Sequence, residues 1–177
     1  MENFISQLIG EFQTKGRAIE LTKGEFLIRE NETETHLYFI EQGAVRAFYQ
    51  SEHEEHTIRF GYEGNMINSL GSYFSNKPSE LYIEALKKTQ VKALHKQDIE
   101  AFVQQSESNR QSYLKLIEQL VVQQIEREID LLIESPSERL ERVLKRSPHL
   151  FQHIPLKYIA SYLRMSPETL SRIRKHH

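Results

Sequence analysis

The spacing of apolar residues changes along the chain, and each change predicts a different kind of element. Over residues 1–14, Phe4, Ile5, Leu8, Ile9 and Phe12 recur at intervals of three and four. That is the period of an amphipathic helix. Gly16 is expected to end it in the left-handed conformation that glycine tolerates. From 17 to 97 the runs become short and rich in β-branched or aromatic residues. They are Ala18 to Thr22, Phe26-Leu27-Ile28, Leu37 to Ile40, Val45 to Tyr49, Thr57 to Phe60, Leu81 to Leu86 and Val91 to Leu94. Turn-prone pieces separate them at Lys23-Gly24, Asn31-Glu32, Gln42-Gly43, Ser51-Glu52 and Glu63-Gly64-Asn65. This pattern predicts an antiparallel sandwich or barrel. Gly24, Gly43, Gly61 and Gly64 fall in or beside the turns, where positive φ is often needed.

Residues 98–134 return to a helical period. Asp98 is a candidate cap for a short helix through Phe102, and a longer helix begins near Ser106 to Ser108. Along it Leu114, Ile117, Val121, Ile125, Ile129 and Leu132 step by three or four, and Leu116, Leu120 and Leu131 widen the stripe. A stripe this wide exceeds a single seam. One side is expected to pack on the strand domain and the other, through Leu114, Ile117, Val121, Ile125 and Ile129, on a second copy of the chain. A long helix buried along its own domain is the alternative. Ser135-Pro136-Ser137-Glu138 has the form of a helix start, with Ser135 as N-cap, Pro136 at the first helical position and Glu138 completing a capping box. Ser147-Pro148 stops that helix. Further starts lie at Ile154-Pro155 and at Ser166-Pro167.

Composition adds exclusions. The 177 residues contain no Cys and no Trp, and 38% are hydrophobic, enough for a packed core. Without Cys there is no disulfide scaffold, Cys-ligated metal or thiol nucleophile. No apolar run approaches the ~18–20 residues of a membrane span. Met1-Glu2-Asn3-Phe4 lacks the basic and apolar regions of an export signal, so the expected compartment is the cytoplasm and no membrane partner is expected. Charge is uneven. Residues 1–135 carry 14 basic and 22 acidic side chains, a net of −8, whereas 136–177 carry 9 basic and 3 acidic, a net of +6. A basic tail on an acidic body suggests a polyanion partner.

The segment Ile154 to Lys175 has the pattern of a helix-turn-helix. Ala160 is small enough for a second helix to cross closely, while Leu163, Met165, Leu170 and Ile173 fill the space between. Ser166, Glu168, Thr169, Ser171, Arg172 and Lys175 are left to face outward. Such a helix presents its N-terminal residues to base edges in the major groove. Arg172 suits guanine and Glu168 a cytosine amine, while Ser166, Thr169 and Lys175 suit phosphates.

These residues carry a resemblance. Leu21-Thr22-Lys23-Gly24-Glu25, Leu37 to Gly43, Gly64-Asn65 and the tail from Tyr158 to Lys175 resemble the Crp/Fnr family of bacterial transcription regulators, and are most similar to its Bacteroidetes-type members. The resemblance implies an α+β fold in three parts: an N-terminal double-stranded β-helix (jelly roll) sensor over 1–105, a long dimerisation helix over 106–134, and a C-terminal helix-turn-helix domain over 135–177. It implies double-stranded DNA, a second copy of the chain and RNA polymerase as partners. Pro167 stands where some relatives carry a basic residue, and Arg164 stands where glycine is common. Positive φ at a non-glycine residue costs roughly 1 kcal/mol.

In that family a Gly-Glu pair holds the ribose of a cyclic nucleotide and an Arg after a Pro holds its phosphate. Aligned on Gly64-Asn65-Met66-Ile67, the pair falls on Asn68-Ser69 and the arginine on Ser79. The charge-assisted bond that favours a phosphate is missing. The expected effector is an unidentified small molecule rather than cyclic AMP, or none, with Met66, Ile67, Asn68, Ser69, Ser79 and Tyr82 as the pocket. A wider lining of Tyr38, Phe60, Leu70, Tyr73 and Phe74 is equally explained by core packing. His53 and His56 lie in a charged loop and do not alternate as strand ligands would. Pro148 and Pro155 bracket His149 and His153. No metal or other cofactor is expected, and no catalytic motif stands out. His176-His177 read equally as native residues or a purification tag. The leading reading is a homodimeric DNA-binding regulator and not an enzyme. The alternatives are a ligand-binding sensor module with a degenerate DNA-binding tail and, third, a cupin-like metalloenzyme.

Overall fold

A computed structural model describes residues 2–175; Met1 and the His176-His177 pair lie outside the described residues. The first helix, α1 (Glu2–Lys15), buries Phe4, Leu8 and Phe12. Phe4 meets Phe102 at 5.5 Å between ring centroids, and Phe12 meets Phe39 at 5.8 Å. Each such burial stabilises the fold by about 1.5–3 kcal/mol. Gly16 does follow the helix, but its φ is not positive. A Cβ there would stand 2.3 Å from the Phe12 carbonyl oxygen, so close approach, not handedness, selects glycine.

Eight strands follow: β1 (Arg17–Leu21), β2 (Phe26–Ile28), β3 (His36–Gln42), β4 (Ala44–Gln50), β5 (Glu55–Tyr62), β6 (Met66–Ile67), β7 (Tyr82–Ala85) and β8 (Thr89–His95). They form two four-stranded antiparallel sheets, ordered β1-β8-β3-β6 and β2-β7-β4-β5. Ile28, Ile40, Val45, Ile67, Ile83 and Val91 pack in one core cluster that draws on both sheets. Gly24, Gly43 and Gly64 have positive φ as their turns require, but Gly61 does not. It lies within β5, where a Cβ would meet Ile40 Cδ1 at 2.7 Å. Between β6 and β7 a short helix, α2 (Leu70–Ser75), ends at left-handed Asn76.

After β8 comes α3 (Lys96–Gln104). Its cap is His95, whose Nδ1 accepts from the Gln97 N–H, so Asp98 sits in the first turn instead of at the cap. The long helix α4 (Glu107–Leu132) starts at Ser106, whose Oγ accepts from Asn109 N–H. Then come α5 (Pro136–Arg146), α6 (Leu150–His153), α7 (Leu156–Tyr162) and α8 (Pro167–Arg174). Ser135 and Ser166 cap α5 and α8, accepting from the N–H groups of Glu138 and Thr169. Leu140, Val143, Ile159, Leu163 and Leu170 share a core that also takes in Ala44 of β4 and Leu86 of the β7–β8 turn.

That shared core joins the helices to the sheet. Ala44 to Phe48 of β4 are all buried, without the alternation of a one-sided strand. The outward face is covered by α7. Arg46 is 3% exposed, stacks on the Tyr158 and Phe48 rings at 4.1 Å each, and pairs with Glu84 and Glu55. At the edge strand β5, the Ser161 Oγ accepts from Thr57 N–H and donates to the Glu55 carbonyl, both at 3.1 Å. An exposed edge is thereby closed by side-chain bonds. Arg164, in the α7–α8 turn, has φ 54 and is hydrogen-bonded to His56 Nδ1 at 2.7 Å.

Candidate functional site

The residues expected to form a ligand pocket fall in three places. Ser69 and Ser79 are buried and hydrogen-bonded to each other at 2.8 Å, and Ser79 Oγ also donates to the Leu81 carbonyl. Beside them lies Glu34, 1% exposed, which sequence reasoning missed. Its Oε1 accepts from His36 N–H at 3.0 Å and from the Tyr38 hydroxyl at 3.2 Å, and the Ser69 N–H also stabilises the carboxylate. Burial outweighs these bonds and pushes the Glu34 carboxyl pKa up. The Tyr38 hydroxyl is pushed up as well, first by burial and then by Glu34. The titratable group that meets Ser69 is thus a carboxyl of the chain itself. Tyr82 is elsewhere, stacked on Phe48 at 5.2 Å and bonded to Glu30.

Met66, Ile67 and Asn68 line a cleft of about 770 Å³ between the strands, α2, α4 and the C-terminal helices. Leu70, Tyr73 and Phe74 border it from α2, and Tyr113, Leu116, Ile117 and Leu120 from α4. Two arginines reach it, Arg59 from β5 and Arg127 from α4. Burial lowers the pKa of both guanidiniums. The Arg127 guanidinium lies over the Tyr162 ring at 3.8 Å and donates to the Tyr162 carbonyl. A charge inside the apolar run Thr57 to Phe60 was the one sequence signal for Arg59. Arg127 gave none, because arginine on a long helix is ordinarily solvated.

At the far end, Ser166, Glu168, Arg172 and Lys175 are exposed on α8, while Thr169 and Ser171 are half-buried. Pro167, Glu168, Ser171, Arg172 and Lys175 border one shallow open groove. The Glu168 carboxyl pKa is lowered by hydrogen bonds from its own N–H and from Ser166. Along α4, Leu114, Val121, Ile125 and Ile129 are 58%, 54%, 51% and 44% exposed, whereas Ile117 turns into the cleft. Among the described residues no group of three metal-ligating side chains converges, and no helix is long and apolar enough to cross a membrane.

The sandwich with its α2 insertion matches a family model, the cyclic nucleotide-binding domain, over residues 18–106. The chain belongs to that family. At Ser69 and Ser79 two hydroxyls meet beside a buried carboxyl, and no cation among the described residues is bonded to them. No curated protein matches the chain.

Solved structures extend the likeness past the domain. FixK2 from Bradyrhizobium japonicum is 18% identical with a TM-score of 0.74, covering 91% of this chain and 83% of its own. A CooA mutant from Carboxydothermus hydrogenoformans is 15% identical with a TM-score of 0.72, covering 94% and 78%. The c-di-GMP responsive global regulator CLP of Xanthomonas campestris is 12% identical with a TM-score of 0.66, covering 97% and 90%. These matches are to Crp/Fnr-type regulators rather than enzymes. At such identities they establish a common fold for the cyclic nucleotide-binding domain and the helices attached to it.

Proposed function

We propose that the chain is a sequence-specific, DNA-binding transcription regulator of the Crp/Fnr type, working as a cytoplasmic homodimer. Residues 1–105 serve as the sensor, 106–134 as the dimer helix and 135–177 as the DNA-reading helix-turn-helix. The observation that carries this reading is the outward face of α8. Ser166, Glu168 and Arg172 stand exposed at its first turns, on a segment with a net charge of +6. A helix capped by serine and docked through Leu170 holds those side chains at fixed positions, as base readout requires. In the dimer two such helices would meet half-sites about 34 Å apart. RNA polymerase is the further partner, and the effector is a small molecule other than cyclic AMP.

The test is selection of preferred duplexes from random DNA, followed by binding at two salt concentrations. A palindromic site is expected. Arg172→Ala should lose about 1–3 kcal/mol of discrimination at one base pair. Lys175→Ala should weaken binding evenly across sequences and flatten the salt dependence. Weak, wholly salt-driven binding with no preferred site would replace this reading with a ligand-binding sensor module bearing a degenerate tail.

A further inference from the structure

We propose that the cleft binds an organic carboxylate with an apolar body, its head held between Arg59 and Arg127 beside Tyr162, where β5, α4 and α7 meet. Arg59 is half-buried and has no hydrogen bond or ion pair among the described residues. Arg127 uses one nitrogen on the Tyr162 carbonyl, while its Nη1 is buried with no partner. Both guanidiniums interact electrostatically with Tyr162, which places them around one side chain.

The other charges at the cleft are already committed. Glu126 lies 3.7 Å from Arg146, and Arg146 also pairs with the fully buried Asp130, as does Arg142 at 2.8 Å. Among the described residues Arg59 has no carboxylate partner, and Arg127 feels Asp130 only without a bond, since the Asp130 oxygens are taken by Arg142 and Arg146. A desolvated cation without a counter-charge is costly, and the guanidinium fork matches a carboxylate. Apolar side chains supply the larger part of the remaining wall, among them Ile58, Phe60, Leu116, Ile117, Leu120 and Leu150, with the amides of Asn68 and Gln123 beside them. It favours an aliphatic or aromatic body over a bare inorganic anion. A volume of about 770 Å³ is ordinary for a small-molecule site.

This place differs from the Ser69–Ser79 seat, where the neighbouring titratable group is the Glu34 carboxyl and not an arginine. A ligand here touches strand, long helix and the first helix of the C-terminal pair at once, so it would bias how they sit together. That regulatory role rests on the regulator reading, whereas the binding does not.

Calorimetry on the full chain with decanoate, decanol, inorganic phosphate and cyclic AMP tests the proposal. Decanoate should bind once per chain, and decanol, which keeps the body and loses the charge, about tenfold or more weaker. Arg59→Gln and Arg127→Gln should each weaken decanoate by a similar factor and leave decanol unchanged. If Arg127→Gln loosens the fold, Arg59→Gln carries the test alone, because the Arg59 guanidinium bonds to nothing among the described residues. Equal binding of decanoate and decanol, phosphate binding as tight as decanoate, cyclic AMP binding that Arg59→Gln abolishes, or no decanoate binding would each overturn it. Decanoate binding in a chain that selects no DNA site would uphold this site and sink the regulator reading. Site-selective DNA binding without decanoate binding would do the reverse.

Discussion

Glu34 is the residue at which sequence and fold disagree most. It lies between two threonines just after the turn-prone Asn31-Glu32, yet it is 1% exposed and its Oε2 has no hydrogen-bond partner among the described residues. Burial raises its pKa in the folded state above the ordinary carboxylate value. The native chain therefore holds this proton at pH values where the unfolded chain has released it. The stabilisation is full below the unfolded pKa and is lost as pH rises through the folded one. Melting curves of wild type and Glu34→Gln from pH 4 to pH 7 should show this. The wild type should lose ground relative to the variant as pH rises, and a constant difference would mean that Glu34 stays in one protonation state throughout. Nothing in the linear sequence announces this charge, because it is buried by Ser69 and Ser72, more than thirty residues away in the chain.

Elements defined by local chemistry were legible. Ser135-Pro136 and Ser166-Pro167 mark α5 and α8 because a serine hydroxyl, a proline ring and the next turn decide a helix start among themselves. Ser135→Ala should cost about 1 kcal/mol in chemical denaturation, the usual worth of such a cap. Elements defined by their neighbours were not legible. The two residues of β6 are a strand only because Tyr38 and Phe39 pair with them. The cap of α3 went to the ring of His95 rather than to Asp98. The α4 stripe was visible, but its split was not: Ile117 turns into the cleft, while Val121 and Ile125 stay over half exposed. Seven exposed large apolar side chains along one helix, Leu114, Val121, Val122, Ile125, Ile129, Leu131 and Leu132, are the mark of an unfilled partner face. Val121→Glu with Ile125→Glu should convert the protein from dimer to monomer in sedimentation equilibrium, with helix content per chain little changed. A wild-type monomer at micromolar concentration would refute the homodimer.

Across the whole molecule, the C-terminal helices are seated on the strand domain rather than tethered to it. Ala44 and Leu86 join their core, Arg46 lies under Tyr158, and Ser161 closes the β5 edge. This docking explains a β4 that is buried on both faces, its one charge, Arg46, included. The second anchor is Asp130 on α4, fully buried and paired with Arg142 and Arg146 of α5. Removing one side of a buried ion pair strands the other. Here the two arginines are 35% and 31% exposed and can recover water, so the loss belongs at the low end. Asp130→Ala should cost about 2–3 kcal/mol. The loss should be local. Hydrogen exchange should quicken in α5 to α8, where the anchor acts, and change little at Ile40, Ile83 and Val91 between the sheets. Equal quickening in both places would mean that the strand domain and the C-terminal helices unfold as one unit. On the proposed regulator reading, a signal in the strands could then not reach α8 by reseating it, and would have to act by stiffening or loosening the whole chain.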